Sequence, residues 1–217
     1  MSAAVGAAPR ERPEAARRSA ALALKRALDV LGAALGLLLA APLLALLAVA
    51  IKRDSRGPVL FRQVRVGRGG RPIRIVKLRT MVVGAERQQE ALRAHSRDPG
   101  WLLLGHDPRV TRVGRLLRRA SLDELPQLWN VLRGEMSLVG PRPLIASEHA
   151  QLSAEQRRRS DVKPGLTGPW QVLGRTEIPF ERMLELDREY VERWSLAGDL
   201  RLLARTVPAV LGGRGAN

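Results

Sequence analysis

The strongest pattern along the chain is an apolar run from Ala27 to Ile51, ALDVLGAALGLLLAAPLLALLAVAI, with Asp29 its single charge. About 20 apolar residues cross a bilayer as a helix, so this is a membrane segment. Lys25 and Arg26 precede it, and Lys52, Arg53 and Arg56 follow it. Basic flanks favour the cytoplasmic side, so the least frustrated arrangement keeps both ends there, the segment entering one leaflet and returning. Pro42, near the centre, removes a backbone hydrogen bond and crowds the preceding turn, which predicts a helix-break-helix. A kinked single span is the alternative. A signal peptide with Ala48-Val49-Ala50 as its cleavage site is another, although the apolar region here is too long for the usual h-region of about 7–15 residues. Residues 1 to 20, rich in Ala, Arg, Glu and Pro, form a disordered basic leader in this reading, lying near anionic headgroups.

Past the apolar run the pattern changes to alternation. Val59 to Val66 and Pro72 to Arg79 are β-rich stretches separated by Gly67-Arg68-Gly69-Gly70-Arg71, which predicts a hairpin. Alternation on the second strand puts Ile73, Ile75, Lys77 and Arg79 on one face, so Lys77 and Arg79 form either a phosphate contact or a solvated basic edge. The remaining periodicity is helical. Thr80 to Ala94 predicts a polar helix, Asp107-Pro108 starts another that runs to Arg119, and Phe180 to Trp194 is amphipathic, with its apolar stripe directed at a core. A last stripe, Leu200, Leu203, Val207, Val210 and Leu211, packs inward or lies in the membrane interface.

Composition narrows the chemistry. The 217 residues carry a net charge of +16, which implies an anionic partner: nucleic acid, an anionic membrane face or phosphorylated substrates. Four Trp, two Phe and one Tyr supply few stacking platforms for a single-stranded nucleic acid. The absence of cysteine excludes disulfides and thiolate metal sites.

Against that basic background, Asp123 and Glu124 stand adjacent in SLDELPQLWNVLRGEMSLVGPRP, with arginines at 109, 112, 115, 118 and 119 before them and Arg142 in a Pro-Arg-Pro turn after them. Ser121 with Glu124 fits a capping box, and Asp123 fits the positive end of a helix dipole, so the pair is open to a purely structural reading. The chemical reading is that a carboxylate at a helix start stays ionised, ready to attack a phosphorus atom or to hold a divalent cation. The arginines would neutralise the phosphates that otherwise repel it. Gly134 is placed to end the helix, and the flanking prolines fix the direction of Arg142. Lys163 to Arg175, KPGLTGPWQVLGR, has the turn residues of a ligand-binding edge or of a plain connector.

These segments together resemble the bacterial sugar transferases of the monotopic polyprenyl-phosphate phosphoglycosyl transferase superfamily. The resemblance rests on Lys77-Leu78-Arg79-Thr80-Met81, Asp107-Pro108-Arg109-Val110-Thr111, SLDELPQLWNVLRGEMSLVGPRP, KPGLTGPWQVLGR and the region from Asp187 to Leu202, and covers roughly residues 22 to 211 in order. It implies a mostly helical α/β monotopic membrane protein with an N-terminal re-entrant helix-break-helix, a β-hairpin and amphipathic interfacial helices. The organisation expected from it is a leader over 1–20, a re-entrant helix over 21–52 and a cytoplasmic catalytic domain over 53–217. By resemblance, Asp123 is the nucleophile and Mg²⁺ ligand, Glu124 completes the catalytic pair, and Arg118, Arg142, Lys77 and Arg79 hold phosphate groups. The implied reaction transfers a sugar 1-phosphate from a UDP-sugar to polyprenyl phosphate through a phosphosugar on Asp123, with release of UMP. The implied location is the bacterial inner membrane, with membrane lipids as partners, no nucleic acid, and the oligomeric state open, a homo-oligomer included. The competing class is a membrane-anchored basic protein that binds nucleic acid or anionic lipid. This chain departs from many members in having Ala41-Pro42 where they have Ser-Pro, and from larger relatives in having only about twenty polar residues before the apolar segment.

Overall fold

The computed structural model describes residues 11–98, 102, 104–174 and 177–212. Residues 1–10 of the expected leader, and Arg175 at the end of the KPGLTGPWQVLGR loop, lie outside the described residues.

Helix α1 runs from Glu11 to Asp54 with Pro42 inside it. Two expectations change here. Residues 11–20 are the first turns of this helix, and the helix is assigned without interruption at Pro42. A proline deletes a single i to i−4 hydrogen bond, and the flanking Ala40, Ala41, Leu43 and Leu44 are strong helix formers that carry the helix past it.

Both ends of α1 are tied to the same body. Near its start, Arg26 donates from Nη1 to the Val131 carbonyl (2.7 Å) and from Nη2 to the Leu132 carbonyl (2.8 Å). Asp29, the one charge of the apolar run, is buried and accepts from Ser137 Oγ (3.0 Å) and Leu138 N (2.9 Å). Lys25 reaches Asp199 at 2.6 Å, and Asp199 also accepts from Tyr190 and Trp194. Near its end, Ile51 packs with Leu78 and Leu117, and Asp54 accepts from Val113 N at 3.1 Å. The opposite face keeps Leu31, Leu35, Leu38, Leu39 and Leu46 exposed. The helix is thus long and apolar enough to cross a membrane by length and composition, yet it lies along the body at both ends.

The hairpin forms as the alternation predicts, with β1 (Leu60–Val66) antiparallel to β2 (Pro72–Leu78) and Phe61 opposite Lys77. Gly69 and Gly70 in its turn have φ of 65° and 77°, a region that costs an L side chain strain. The helix expected over 80–94 is reduced to a 3₁₀ turn (Ala85–Gln88) and α2 (Gln89–Arg93). Val82 and Val83 are β-branched, Gly84 is left-handed at φ 82°, and Met81 instead forms a bridge with Val110. Helix α3 (Arg112–Arg119) starts later than Asp107-Pro108 suggested, because Thr111 supplies the cap by accepting from Gly114 N. Asp107 turns back to Arg109 instead.

A 3₁₀ helix over Leu122–Gln127 leads into α4 (Leu128–Leu132), and then comes β3 (Ser137–Val139). Helices α5 (Ala146–Ala150) and α6 (Ala154–Arg157) precede β4 (Gly165–Thr167), which pairs in parallel with β3. The chain ends in α7 (Pro169–Leu173), α8 (Phe180–Glu192) and α9 (Leu196–Leu211). The α8 stripe does face a core: Phe180, Met183 and Leu184 pack with Leu144, Leu152 and Trp170. The α9 stripe is divided, with Leu200 and Val207 exposed.

Candidate active site

Ser121 takes a left-handed conformation (φ 54°) and is the one non-glycine residue with positive φ among those described. An L residue there costs roughly 1–2 kcal/mol, and such strain concentrates at functional sites. The capping box expected at Ser121–Glu124 is absent. Ser121 makes no side-chain cap, the segment after it is 3₁₀ with Pro126 inside, and the Glu124 carboxylate meets Lys77 Nζ at 2.6 Å. The acidic pair therefore faces the hairpin and is not spent on capping its own helix.

Asp123 is buried at the floor of a cleft of about 500 Å³ that Lys77, Arg79, Arg118, Glu124 and Arg142 also line. Burial pushes its carboxyl up to about 6; Lys77 and Arg118 pull the other way and Glu124 adds to the rise. A carboxyl at about 6 is still mostly ionised at neutral pH. Desolvation opposes the charged form, and Lys77, Arg118 and a backbone hydrogen bond favour it.

The expected phosphate ligands divide. Lys77 stands at the end of β2 against Glu124. Arg118, on α3, donates from Nε to Thr80 Oγ1 at 3.0 Å, and burial lowers its affinity for a proton while Asp123 and Asp107 raise it. Arg142 Nη1 is 4.0 Å from Glu124 Oε1, and the guanidinium lies 4.9 Å from the Trp170 ring centroid, a cation–π distance. Proline gives the turn no N–H to anchor, so its carbonyls are held instead. Gly165 N donates to Pro141 O (2.9 Å), Arg159 Nη2 to Arg142 O (2.7 Å) and Arg65 Nη1 to Pro143 O (3.2 Å). Arg159 is itself locked in a buried ion pair with Asp187.

Arg79 departs from the expectation. Its Nε donates to Pro58 O (2.6 Å), Nη1 to Ser55 Oγ (2.7 Å) and Nη2 to Ser55 O (2.9 Å). It lines the cleft, but its donors fasten the chain just after α1. Strand β2 ends at Leu78, one residue before Arg79. Arg109 likewise is held by Asp107 and the Ala85 carbonyl, whereas Arg112, Arg115 and Arg119 form an exposed basic face of α3.

Other lining residues were not singled out from the sequence: Phe61, Gln63 and Arg65 from β1, with Glu148 and Gln171. The first three were legible, since i, i+2, i+4 spacing puts them on one face of a strand whose partner carries Lys77. Glu148 and Gln171 come from distant segments and leave no local signal.

The carboxylates of Asp123 and Glu124 are hard oxygen donors suited to Mg²⁺. Among the described residues no group of three or more His, Cys, Asp or Glu forms a cage. A cation held by this pair would complete its shell with phosphate oxygens and water, the usual habit of Mg²⁺.

Fold and site together define a membrane-associated protein whose cleft, a buried carboxylate ringed by cations, suits a phosphorylated ligand. The chain belongs to the bacterial sugar transferase family, whose sequence model matches residues 20–213. It is 49% identical over 198 residues to the UDP-glucose:undecaprenyl-phosphate glucose-1-phosphate transferase of Caulobacter vibrioides, covering 86% of this chain and 69% of that protein. It is 41% identical over 197 residues to the exopolysaccharide production protein ExoY of Rhizobium meliloti, covering 88% of this chain and 87% of ExoY. It is 43% identical over 197 residues to the galactosyl transferase CpsE of Streptococcus agalactiae, covering 90% of this chain but 44% of CpsE. The chain thus spans less than half the length of some of the relatives it matches.

Proposed function

We propose that the protein transfers a sugar 1-phosphate from a UDP-sugar to undecaprenyl phosphate, the initiating step of a bacterial exopolysaccharide, capsule or O-antigen. The observation that carries this reading is Asp123, buried on the floor of a cleft among Lys77, Arg118 and Arg142. The family membership and the activity for which the Caulobacter relative is named support it.

In the first step an Asp123 oxygen attacks the β-phosphorus. A new O–P bond forms, the bond from that phosphorus to the bridging oxygen breaks, and UMP leaves with the electron pair. In the second step an oxygen of the lipid phosphate attacks the same phosphorus, the Asp123–phosphorus bond breaks, and the carboxylate is restored as polyprenyl diphosphate sugar departs. Lys77, Arg118 and Arg142 offset the diphosphate charge that opposes a carboxylate's approach. Glu124 holds Lys77 beside Asp123. Mg²⁺, held by Asp123 and Glu124, supplies further charge neutralisation when bound.

The setting follows from α1. Because its residues near 26 and near 51 pack on one body, the ends lie on one side of a membrane and the exposed leucines enter the lipid. In this reading the cleft sits at the cytoplasmic face of the inner membrane, within reach of a lipid phosphate, a setting that the basic flanks of the apolar run support.

The test incubates the protein with a UDP-sugar panel, undecaprenyl phosphate and Mg²⁺, follows UMP, and seeks a phosphosugar adduct by mass spectrometry. UMP release with an adduct on Asp123, both lost in Asp123→Asn, is the expected result. An adduct on another residue, or an unchanged Asn variant, would overturn the mechanism.

A further inference from the structure

The cleft is chemically two-sided. One set of lining residues includes the apolar Met81, Val82, Leu102 and Leu104, with Asp107 and Arg109 among them, and another is Gln63, Arg65, Glu148 and Gln171. Arg65 and Gln171 share a recess with Glu124 and Lys77. This second set holds donors and acceptors together, and none of the four is fully used by the protein. Arg65 donates from Nε to Gln63 Oε1 (2.9 Å) and from Nη1 to Pro143 O (3.2 Å), and its approach to Glu148 is a long 3.9 Å. Glu148 spends Oε2 on Ile145 N (3.1 Å). Gln171 is nine-tenths buried, and its Oε1 has no hydrogen-bond partner.

A buried amide oxygen without a donor costs about 1–3 kcal/mol, and Glu148 in the same lining offsets the charge of Arg65, 3.9 Å away. Both features suit a group that donates and accepts hydrogen bonds and carries no charge, such as a polyol. We infer that Gln63, Arg65, Glu148 and Gln171 form the subsite that reads the hydroxyls of the transferred sugar.

The inference rests on the proposed reaction, which fixes which polyol lies here. In an in-line displacement the leaving nucleotide points away from the attacking oxygen. The sugar, joined through its anomeric oxygen to the phosphorus under attack, stays beside the acidic pair. The recess holding Gln171 and Arg65 adjoins Glu124, and the apolar end remains for the uracil ring. Sugar choice then depends on acceptor placement, with Glu148 and Gln171 each accepting a hydrogen bond from a sugar hydroxyl and Arg65 donating one.

The experiment uses the full chain in detergent or nanodiscs with UDP-glucose, UDP-galactose and UDP-N-acetylglucosamine. Glu148→Gln keeps the carbonyl that caps α5 and removes the charge; Gln171→Met keeps side-chain length and removes the amide. For each variant, kcat/KM for the preferred sugar should fall by about 10–100-fold, and the ratio between preferred and poorer sugars should shrink by roughly 5-fold or more. Inhibition by UMP should stay within about 2-fold of the parent, which also shows that the cleft is folded. Equal loss for every sugar, with ratios unchanged, would overturn the subsite. So would weaker UMP inhibition, which would place these residues at the nucleotide end. If the parent chain released UMP from no sugar and formed no adduct, the proposed reaction itself would fail, a separate outcome.

Discussion

At the scale of single residues, the decisive fact is that Asp123 is charged only at a cost. Its carboxyl is pushed up to about 6 mainly by burial. A folded-state value above the unfolded one means the neutral form is favoured in the fold. That stabilisation is present below about pH 4 and is lost as pH rises through about 6. Asp123→Asn should therefore match the parent's stability near pH 4 and exceed it at pH 8 by up to about 3 kcal/mol, one pH unit being 1.36 kcal/mol. Thermal melts of the two proteins across that range check it; a constant offset would show that Asp123 carries no such penalty. The same sign governs chemistry. Adduct formation needs the carboxylate, so its single-turnover rate should climb through about pH 6 and then level off. Legibility at this scale was uneven. Asp123, Glu124, Arg118 and Arg142 stood out because acids are scarce and the arginines cluster, and Lys77 from strand alternation, while their roles came from the family resemblance. The absent cap at Ser121 was illegible, because its left-handed backbone angle leaves no local signal and Glu124's partner lies 47 positions away.

At the scale of elements, side chains and glycines on one element complete another. The outer edge of β2 has no third strand; Asn130 on α4 serves instead, accepting from Val76 N (3.1 Å) and donating to Arg74 O (2.8 Å). Asn130→Leu leaves both backbone groups without that partner and should cost about 2–4 kcal/mol, read from urea unfolding in detergent. Gly114 on α3 is another such joint, since a Cβ there would stand 2.0 Å from the Thr80 carbonyl oxygen. Gly114→Ala must push α3 away from the strand end, breaking the Arg118–Thr80 link. UMP release should drop by about 10–100-fold while circular dichroism keeps the helical signal. The hairpin and the α8 core stripe were legible because strand alternation and helical periodicity are local. The start of α3 and the loss of the 80–94 helix were not, because competing local bonds and the Met81–Val110 bridge decide them.

At the scale of the whole molecule, the apolar segment was obvious in the sequence, but its placement was not. Basic flanks and Pro42 suggested a return within one leaflet; the structure keeps α1 helical past Pro42 and binds both its ends to one body, which is compatible with both ends on one side of a membrane. Arg26 and Asp29 hold one end to α4 and β3, and Ile51 and Asp54 hold the other to β2 and α3. Separating those ends across a bilayer would open one set of these contacts, and opening the first would strip Asp29 of both its donors and expose a charge to lipid, which costs several kcal/mol. The chain contains no cysteine, so single-cysteine variants report cleanly. Ser19→Cys and Arg56→Cys, both at exposed positions of or just after α1, bracket the apolar run. In intact cells neither should react with a membrane-impermeant maleimide, and in inverted membrane vesicles both should. Labelling of the two from opposite sides would establish a spanning helix and would require the contacts of Arg26 or of Ile51 with the body to open in the membrane.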